Sequence, residues 1–158
     1  MRKPKSESSY VLKVSLPGRP VTWRRIVMHG HQTLHDFHEE IFNAFDRYDE
    51  HLYSFYFPRP GARGRDRLRG AAEYSHPMAF TDPGPFYDDW KLDASKTSLD
   101  SLGLTPGQQF DYLFDFGDSW WHKIAVEEIV GPGVPTASGL IQSRGESPPQ
   151  YPEDDPDD

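Results

Sequence analysis

The alternation of hydrophobic and polar residues near the start of the chain predicts a β-hairpin. Hydrophobic residues recur at every second position of YVLKVSL, residues 10–16, which indicates a strand. The turn residues PGRP follow, and VTWRRIVM, residues 21–28, predicts a second strand. Because Arg24 and Arg25 are neighbours in that strand, their side chains must point to opposite faces. We expect whichever arginine is covered to pair with a carboxylate.

A helix is predicted over residues 33–45, TLHDFHEEIFNAF. Thr33 can cap this helix, and Asp36, three positions later, completes a weak form of the capping box. At about 100° per residue the apolar side chains form one stripe, and His38 lies near its middle. The stripe consists of Leu34, Phe37, Ile41, Ala44 and Phe45.

A third strand and a long loop follow the helix. HLYSFYF predicts a strand in which His51 shares a face with Tyr53, Phe55 and Phe57. Pro and Gly then recur throughout residues 58–91, and a loop of that length is functional, a lid or partly disordered. SLDSLGLTPGQ predicts a short helical turn that leads into the next strand.

The segment FDYLFDFGDSWWHKIAVEEI, residues 110–129, predicts a second hairpin. A three-residue Gly-Asp-Ser connection, or a bulge, pairs Phe116 with Trp120. The same register pairs Phe114 with His122 and keeps the apolar residues on one face. Since a slip of one residue reverses every side chain, we expect this register. The opposite face then carries Asp111, Asp115, Trp121 and Lys123, with Asp118 at the turn.

The order of elements, ββαβ…ββ, predicts an α+β domain. We expect a single mixed sheet of about five strands, β-grasp-like or roll-like, with one main helix packed on one face. Residues 1–9 are expected to be a disordered lead-in, and residues 10–135 a single domain with a long loop at 58–91. Residues 136–158 are rich in Pro and acidic side chains and are expected to form a flexible tail.

Length and composition limit the classes of protein. A chain of 158 residues is one domain, long enough to bury a core, and 14% aromatic residues suggest that large rings fill it. The absence of cysteine excludes disulfides, Cys-ligated zinc and thiol catalysis. Neither a signal peptide nor an apolar stretch of membrane-spanning length is recognisable. We expect a cytoplasmic protein without a membrane association or a cofactor.

Charge is unevenly distributed along the chain. Residues 1–70 hold 13 Lys/Arg and 8 Asp/Glu, a net charge of +5, whereas residues 71–158 carry a net charge of −13. The overall charge of −8 opposes nucleic-acid binding, but the first half can still present a local basic surface. We favour the interpretation that the two halves pack together and neutralise each other.

Three histidines, His38, His51 and His122, lie on the apolar faces of their predicted elements. If they converge, they form a metal site or a proton-transfer cluster, with Asp115 or Asp118 nearby. Alternatively, each is a separate core histidine bonded to a carbonyl or a carboxylate. No HExxH or comparable spacing supports a metal, so we favour the second interpretation. The complete candidate cluster is Arg25, His38, His51, Asp115, Asp118, Trp120 and His122.

Other catalytic motifs are not recognisable. The Asp-Phe-Gly letters lack the glycine-rich loop, strand lysine and His-Arg-Asp loop of a kinase. Ser119 has no G-x-S-x-G context, and GARGRDRLRG lacks the Gly-Lys-Ser/Thr of a phosphate loop. Five arginines in residues 59–69, which we call the arginine loop, can contact nucleic-acid phosphates, or they form an ordinary solvated loop. The candidate contacts are Arg63, Arg65, Arg67 and Arg69.

The chain resembles the plasmid pRiA4b ORF-3-like family. The matching pieces are YVLKVSL, WRRIVM, TLHDFHEEIFNAF, HLYSF and YLFDFGDSWWHKIAVEEI. The last piece is similar to the family signature Tyr-x-Tyr-Asp-Phe-Gly-Asp-x-Trp-x-His. It matches at Asp115, Phe116, Gly117, Asp118, Trp120 or Trp121, and His122. Many members end in Pro-Pro-Glu-Asp and paired glycines, whereas this chain ends in SPPQYPEDDPDD without the glycines.

The resemblance implies a compact α+β domain without an established activity, and some members are described as passenger proteins of insertion elements. Our leading hypothesis is a small, non-enzymatic binding or accessory domain that uses the second hairpin and the 58–91 loop as its surface. Its partner would be a protein or a nucleic acid. The resemblance also implies an association with mobile genetic elements. The alternatives are a metal-dependent hydrolase or nuclease with a His/Asp cluster, and a nucleic-acid-binding accessory protein that uses the arginine loop.

Overall fold

The computed structural model describes residues 8–80 and 90–151, which form one eight-stranded mixed β-sheet with one α-helix. The α+β class agrees with the prediction. The predicted β-grasp-like sheet of about five strands is wrong, because three short strands extend its two edges. Those three strands, at residues 72–75, 92–93 and 139–144, carry too few alternating apolar positions to be recognised.

The strands follow a simple order across the sheet. Neighbouring strands run β5-β4-β3-β6-β7-β1-β2-β8, and every pair is antiparallel except the parallel pair β4–β5. The elements are β1 (Ser9–Leu16), β2 (Arg19–His29), α1 (Leu34–Ala44), β3 (Tyr53–Phe57), β4 (Ala72–Ser75), β5 (Leu92–Asp93), β6 (Gln109–Phe114), β7 (Trp120–Val130) and β8 (Gly139–Arg144).

The first predicted hairpin is present as β1 and β2. Tyr10 pairs with Met28 and Leu12 with Ile26, and all four side chains are buried under the helix on what we call the inner face of the sheet. Alternate residues point to the opposite, outer face, which no helix covers in the described residues. The sheet therefore has one apolar face and one partly exposed face.

The two adjacent arginines of β2 have different partners. Arg24 is buried, and its guanidinium donates to backbone carbonyls, including that of Ala44 at 2.8 Å from Nε. Arg25, on the outer face, forms the carboxylate pair, with Nε 2.5 Å from Glu127. The expectation that the covered arginine would use a carboxylate is wrong, because carbonyl oxygens at the end of α1 and after β8 lie within its reach.

The helix is formed as its sequence predicts. The Thr33 side chain accepts from the Asp36 amide at 3.1 Å, and the Asp36 carboxylate accepts from the Thr33 amide at 2.9 Å, which completes the capping box. The predicted stripe is buried in the core, and so is His38. The cost of removing the His38 imidazole from water is offset by its hydrogen bonds to Tyr112 and Glu50.

The second hairpin has the predicted faces but a different register. Phe114 pairs with Trp120 and Tyr112 with His122, two positions away from the predicted pairing. The strand stops at Phe114 because Asp115 has a left-handed backbone, φ 64°, and its carboxylate caps the amides of the next turn. A shift of two residues leaves the side chains of β6 and β7 on their predicted faces, but Asp115, predicted on the outer face, lies 3.4 Å from His51 at the edge of the core.

Several predicted irregular segments contain ordered structure. The 58–91 stretch includes β4, and residues 139–144, which fall in the predicted tail, form β8 against β2. The predicted division of the chain at residues 135/136 stays a prediction. Of the expected lead-in, residues 1–7 lie outside the described residues, and Ser9 already belongs to β1.

Residues 147–151, which we call the strap, lie against the end of α1. Pro148 and Gln150 are buried, and Arg47 donates to the Pro148 carbonyl at 2.9 Å. The Trp120 indole donates to the Gln150 carbonyl at 3.2 Å, which links the strap to the start of β7.

Candidate functional site

A buried imidazole links a surface carboxylate to a buried phenol. His38 is 0% exposed, its Nδ1 lies 2.6 Å from the Tyr112 hydroxyl, and its Nε2 lies 3.2 Å from the Glu50 carboxylate. A neutral imidazole that donates from Nε2 to Glu50 accepts at Nδ1 a hydrogen bond from the Tyr112 hydroxyl. Burial lowers the pKa of His38, and the hydrogen bond from His38 lowers the pKa of Glu50. All three groups are thus held in one protonation pattern.

A second carboxylate–imidazole–phenol set lies beside the first. His35 Nδ1 is 2.7 Å from the Tyr53 hydroxyl, and His35 Nε2 is 3.4 Å from Glu39. The Tyr53 ring stacks on His38 with centroids 4.0 Å apart. His76 packs edge-on against His35 at 5.3 Å. The inner face here is an aromatic stack in which each of the two tyrosine hydroxyls meets a histidine nitrogen.

His122 points inward, as its strand pattern predicts, and meets aromatic rings. Its Nδ1–H donates to the Trp120 carbonyl at 2.9 Å, and its ring packs edge-on against Tyr112 and Phe45. Burial, with the nearby Arg47 guanidinium, lowers the pKa of His122 to about 3. The imidazole is therefore neutral under ordinary conditions.

Four further members of the candidate cluster lie at the edge of this core, whereas Arg25 lies apart from it on the outer face, paired with Glu127. His51 Nε2 is 2.7 Å from the Tyr151 hydroxyl and 3.4 Å from the Asp115 carboxylate. Asp118 is exposed in the turn, where its backbone amide donates to Asp115 at 3.3 Å. Trp120 is half-buried beneath the Arg47 guanidinium, 4.4 Å from its ring centroid.

The three candidate histidines have separate partners. His38 bonds to Tyr112 and Glu50, His51 approaches Tyr151 and Asp115, and His122 bonds to a backbone carbonyl. Among the residues that the structure describes, no three His, Asp or Glu side chains are placed to hold a metal ion. The three histidines are alike in that each packs against the ring of Tyr112 or of Phe114.

The outer face of the same hairpin is different in character. Trp121 is 38% exposed, and its ring contacts that of Tyr56 on β3, with centroids 5.6 Å apart. Asp111, opposite both Tyr56 and Lys123, forms an ion pair with Arg67 of the arginine loop. The hairpin and the loop therefore form one continuous surface, which we call the hairpin–loop surface.

The arginine loop is folded onto itself. Residues 64–66 form a 3-10 turn, and the Arg59 Nε donates to the Arg69 carbonyl at 3.0 Å. With Arg67 held by Asp111, the side chains of Arg63, Arg65 and Arg69 stay exposed. A cavity of about 630 Å³ is lined by residues 58–62 and Arg67 on one side and by Gly103 and residues 105–109 on the other.

Sequence reasoning missed several residues that surround the histidines of the inner face. Glu50 and His76 lie outside the predicted helix and strands, so no periodic pattern indicates which way they face. Arg47 follows the helix and has no sequence feature that distinguishes it from the other arginines. The alternation along residues 51–57 and 110–116 places Tyr53 and Tyr112 on the apolar faces of their strands, but periodicity does not identify which histidine a hydroxyl will meet. The sequence offers one signal: His38, Tyr53 and Tyr112 all occupy positions that the periodicity of their elements turns towards the core.

Comparisons with known proteins identify a family and two similar proteins. A sequence model described as plasmid pRiA4b ORF-3-like protein matches residues 8–154. The chain is 32% identical over 142 residues to the uncharacterized protein y4hQ of Sinorhizobium fredii (strain NBRC 101917 / NGR234), a match that covers 88% of this chain and 63% of that protein. The chain thus spans less than two thirds of the length of this relative.

A solved structure has a similar fold. The crystal structure of the protein of unknown function MM3350 from Methanosarcina mazei Go1 superposes with a TM-score of 0.69 and 24% identity. The match covers 92% of this chain and 74% of that one. In the described residues, no helix has the length and apolar character needed to cross a membrane. The family model covers nearly the whole chain, and the chain belongs to the plasmid pRiA4b ORF-3-like protein family.

Proposed function

We propose that this chain is a non-enzymatic accessory domain that binds nucleic acid through the hairpin–loop surface. The observation that carries the proposal is the ion pair between Arg67 and Asp111. It fixes the arginine loop beside the exposed ring of Trp121, while Arg63, Arg65 and Arg69 remain exposed to solvent. Guanidinium groups suit phosphates, and exposed aromatic rings on a sheet face suit unstacked bases.

The charge of the opposite side favours this orientation of binding. The helix and the segment after it carry the acidic residues Glu39, Glu40, Asp46, Asp49 and Glu50. A polyanion approaching that side is repelled, whereas the arginine loop attracts it. The overall charge of −8 therefore restricts binding to one surface and keeps non-specific affinity low.

The inner face gives less support to the alternative of a metal-dependent hydrolase or nuclease. His38 and His122 are buried and engaged with protein partners, and Asp118 lies in an exposed turn. An accessory role beside a mobile genetic element is part of the proposal, since the family takes its description from a plasmid reading frame.

The test measures binding of labelled oligonucleotides by fluorescence anisotropy at two salt concentrations. In the triple variant Arg63→Ser/Arg65→Ser/Arg69→Ser, we expect the slope of log affinity against log salt to fall by about 2–3, because about 0.7–0.9 is lost for each phosphate contact. Comparing single strands with duplexes distinguishes stacking on Trp121 from contact with phosphates alone.

A matched triple variant controls for net charge. Arg19, Lys96 and Arg144 are exposed cations outside the arginine loop. Replacing all three by serine removes the same charge and should leave most of the affinity. Equal losses in the two triple variants, or an unmodified chain that binds neither single strands nor duplexes at low salt, would contradict the proposal.

A further inference from the structure

We infer that the groove beneath the strap is a recognition site for an extended segment, and that a second copy of this chain can supply that segment by exchanging residues 139–151. The groove lies between residues 45–51 and Trp120, on the inner side of the sheet. In the described structure the chain fills it with its own strap.

The groove recognises the strap through hydrogen bonds typical of peptide binding. The backbone amides of Tyr48 and Asp49 both donate to the Gln150 side-chain oxygen, at 3.0 and 3.1 Å. The Gln150 amide donates in return to the Asp49 carbonyl at 2.9 Å, and Ser147 donates to the Phe45 carbonyl at 2.7 Å. The Arg47 and Trp120 side chains donate to the main-chain carbonyls of Pro148 and Gln150. The groove therefore recognises the backbone of the strap and, at one position, a glutamine side chain.

Burial along the strap alternates as in a bound extended peptide. Pro148 and Gln150 are buried, whereas Pro149 between them is exposed. Two consecutive prolines restrict the free conformations of the segment, which lowers the entropy lost on docking. The segment thus has the character of a ligand that is joined to its own receptor.

Arg47 indicates that the groove holds more binding capacity than the strap uses. The residue is 6% exposed, and Nη1 bonds to the Pro148 carbonyl. Its Nε and Nη2 are buried without a hydrogen-bond partner. Buried donors without partners cost free energy. The strap leaves two donors of Arg47 unbonded, so its release loses less binding free energy than the release of a segment that bonded to all of them.

None of residues 139–151 belongs to the apolar core cluster, so the chain that leads to the strap can leave that core intact, and Arg24 regains the Arg144 and Gly145 carbonyls when a second copy docks. Residues 131–138 are exposed except for the half-buried Thr136, and they are rich in Gly and Pro. Among the described strands β8 pairs with β2 alone, at the edge of the sheet, and Leu140 and Ile141 are exposed by 46% and 53%. Residues 139–151 can therefore dock on a second copy with the same contacts, which is the geometry of an exchanged dimer.

The first experiment uses the absence of cysteine in the natural chain. One full-length variant carries Asp49→Cys, and another carries Tyr151→Cys; these side chains lie 3.0 Å apart in the structure. The two are mixed at millimolar concentration and treated with a short bis-maleimide crosslinker. Exchange predicts a crosslinked heterodimer that accumulates over hours to days. Lys123→Cys, on the outer face, replaces Asp49→Cys in the control mixture.

A second experiment shortens the connection. Residues 130 and 139 are separated by three strand spacings, about 14 Å, because β1 and β2 lie between β7 and β8. Deleting residues 131–136 leaves a reach of about 10–11 Å, so the segment can no longer dock on its own domain. Light scattering after size exclusion should then show a dimer, while an insertion of six Gly/Ser residues at the same place leaves a monomer.

The outcomes decide the inference in either direction. It is overturned if the Asp49→Cys and Tyr151→Cys mixture gives no more heterodimer than the Lys123→Cys control. It is also overturned if the shortened chain remains a monomer, or if its dimer persists when the chain is cut after Ser138, which would place the contact elsewhere. If the shortened chain does not fold, the crosslinking result alone decides.

Discussion

The two faces of the β6–β7 hairpin are built from alternating residues of the same strands but have opposite surroundings. On the inner face, Tyr112 and His122 are at most 2% exposed and lie within a stack of aromatic rings. On the outer face, Trp121 and Lys123 are exposed, and Asp111 is held in an ion pair with the arginine loop. Polar groups on the inner face are buried with their partners, whereas the outer face combines ion pairs with exposed side chains such as Trp121 that a partner can reach.

The comparison distinguishes polar residues that stabilise the fold, on the inner face, from polar residues that can bind a partner, on the outer face. Tyr112 and His38 satisfy one another, and burial holds the pKa of Tyr112 well above its ordinary value. Such groups specify one packing arrangement, because a buried polar atom without its partner is costly. Exposed guanidinium groups and rings carry no such requirement. Substitutions on the two faces should therefore differ in what they change.

The largest effect on stability is expected from an aromatic residue of the inner face. Phe114 is 1% exposed and packs against His38, Phe42 and Tyr112. Phe114→Ala should lower the free energy of unfolding by about 3–5 kcal/mol through the cavity that it leaves. Urea unfolding measures this loss. Trp121→Ala on the outer face should cost about 1 kcal/mol or less, and equal losses would remove the distinction between the faces.

A pH titration sharpens the comparison through His122. Its pKa is about 3 in the fold, below the ordinary value of 6.5, so the unfolded chain binds the proton more readily. Stability is then complete above about pH 6.5 and falls as the pH is lowered towards 3, by about 1.4 kcal/mol per pH unit for one proton. His122→Phe should reduce this slope by about one proton between pH 6 and 4. The exposed His31→Gln serves as control, and an unchanged slope in His122→Phe would contradict the assignment.

The hydroxyl of Tyr112 should have a smaller effect. Tyr112→Phe keeps the ring and removes the group 2.6 Å from His38 Nδ1, which leaves that buried nitrogen without this partner. We expect a loss of about 1–3 kcal/mol in the free energy of unfolding. Tyr74→Phe, a partly buried tyrosine on β4, is the matched control. If both variants lose the same amount, the bond to His38 has no special role.

The smallest effect is expected on the outer face, at the ion pair of Arg25 and Glu127. Both side chains are partly exposed, at 24% and 31%, so water and salt screen their attraction. Glu127→Gln should lower the free energy of unfolding by about 0.2–1 kcal/mol in low salt, with a smaller loss in high salt. Thermal unfolding at two salt concentrations measures this difference. A loss that does not depend on salt would mean that packing, and not charge, accounts for the effect.

Periodicity predicted which residues face inward, since a period of two or 3.6 residues is local information. The helix stripe and the inward positions of Tyr10, Phe114 and His122 were predicted in this way. The hairpin register was wrong by two residues because the left-handed conformation of Asp115 ends β6 early. That conformation is supported by bonds from Gly117 and Asp118 to the Asp115 carboxylate, which no hydrophobic pattern reveals.

The edges of the sheet and the contents of the core required tertiary information. β8, with the sequence GLIQSR, has exposed side chains on both faces and so lacks the alternation by which strands are recognised. The strap is held by Arg47 and by backbone amides after α1, residues about 100 positions away in the chain. The bond between His38 and Tyr112 likewise joins distant elements. Contacts of this kind follow from the fold and not from local sequence.

The five-residue connection 115–119 also restricts insertions and deletions in this chain. Asp115 and Ser119 are both left-handed, with φ of 64° and 56°, and they join strands whose side chains alternate. A one-residue change that slid β7 along β6 would turn His122 to solvent and Trp121 into the core, whereas a slide of two residues would keep both in place. Because β7 is also paired with β1, relatives should absorb a single insertion or deletion within the connection itself and leave the register of β7 unchanged.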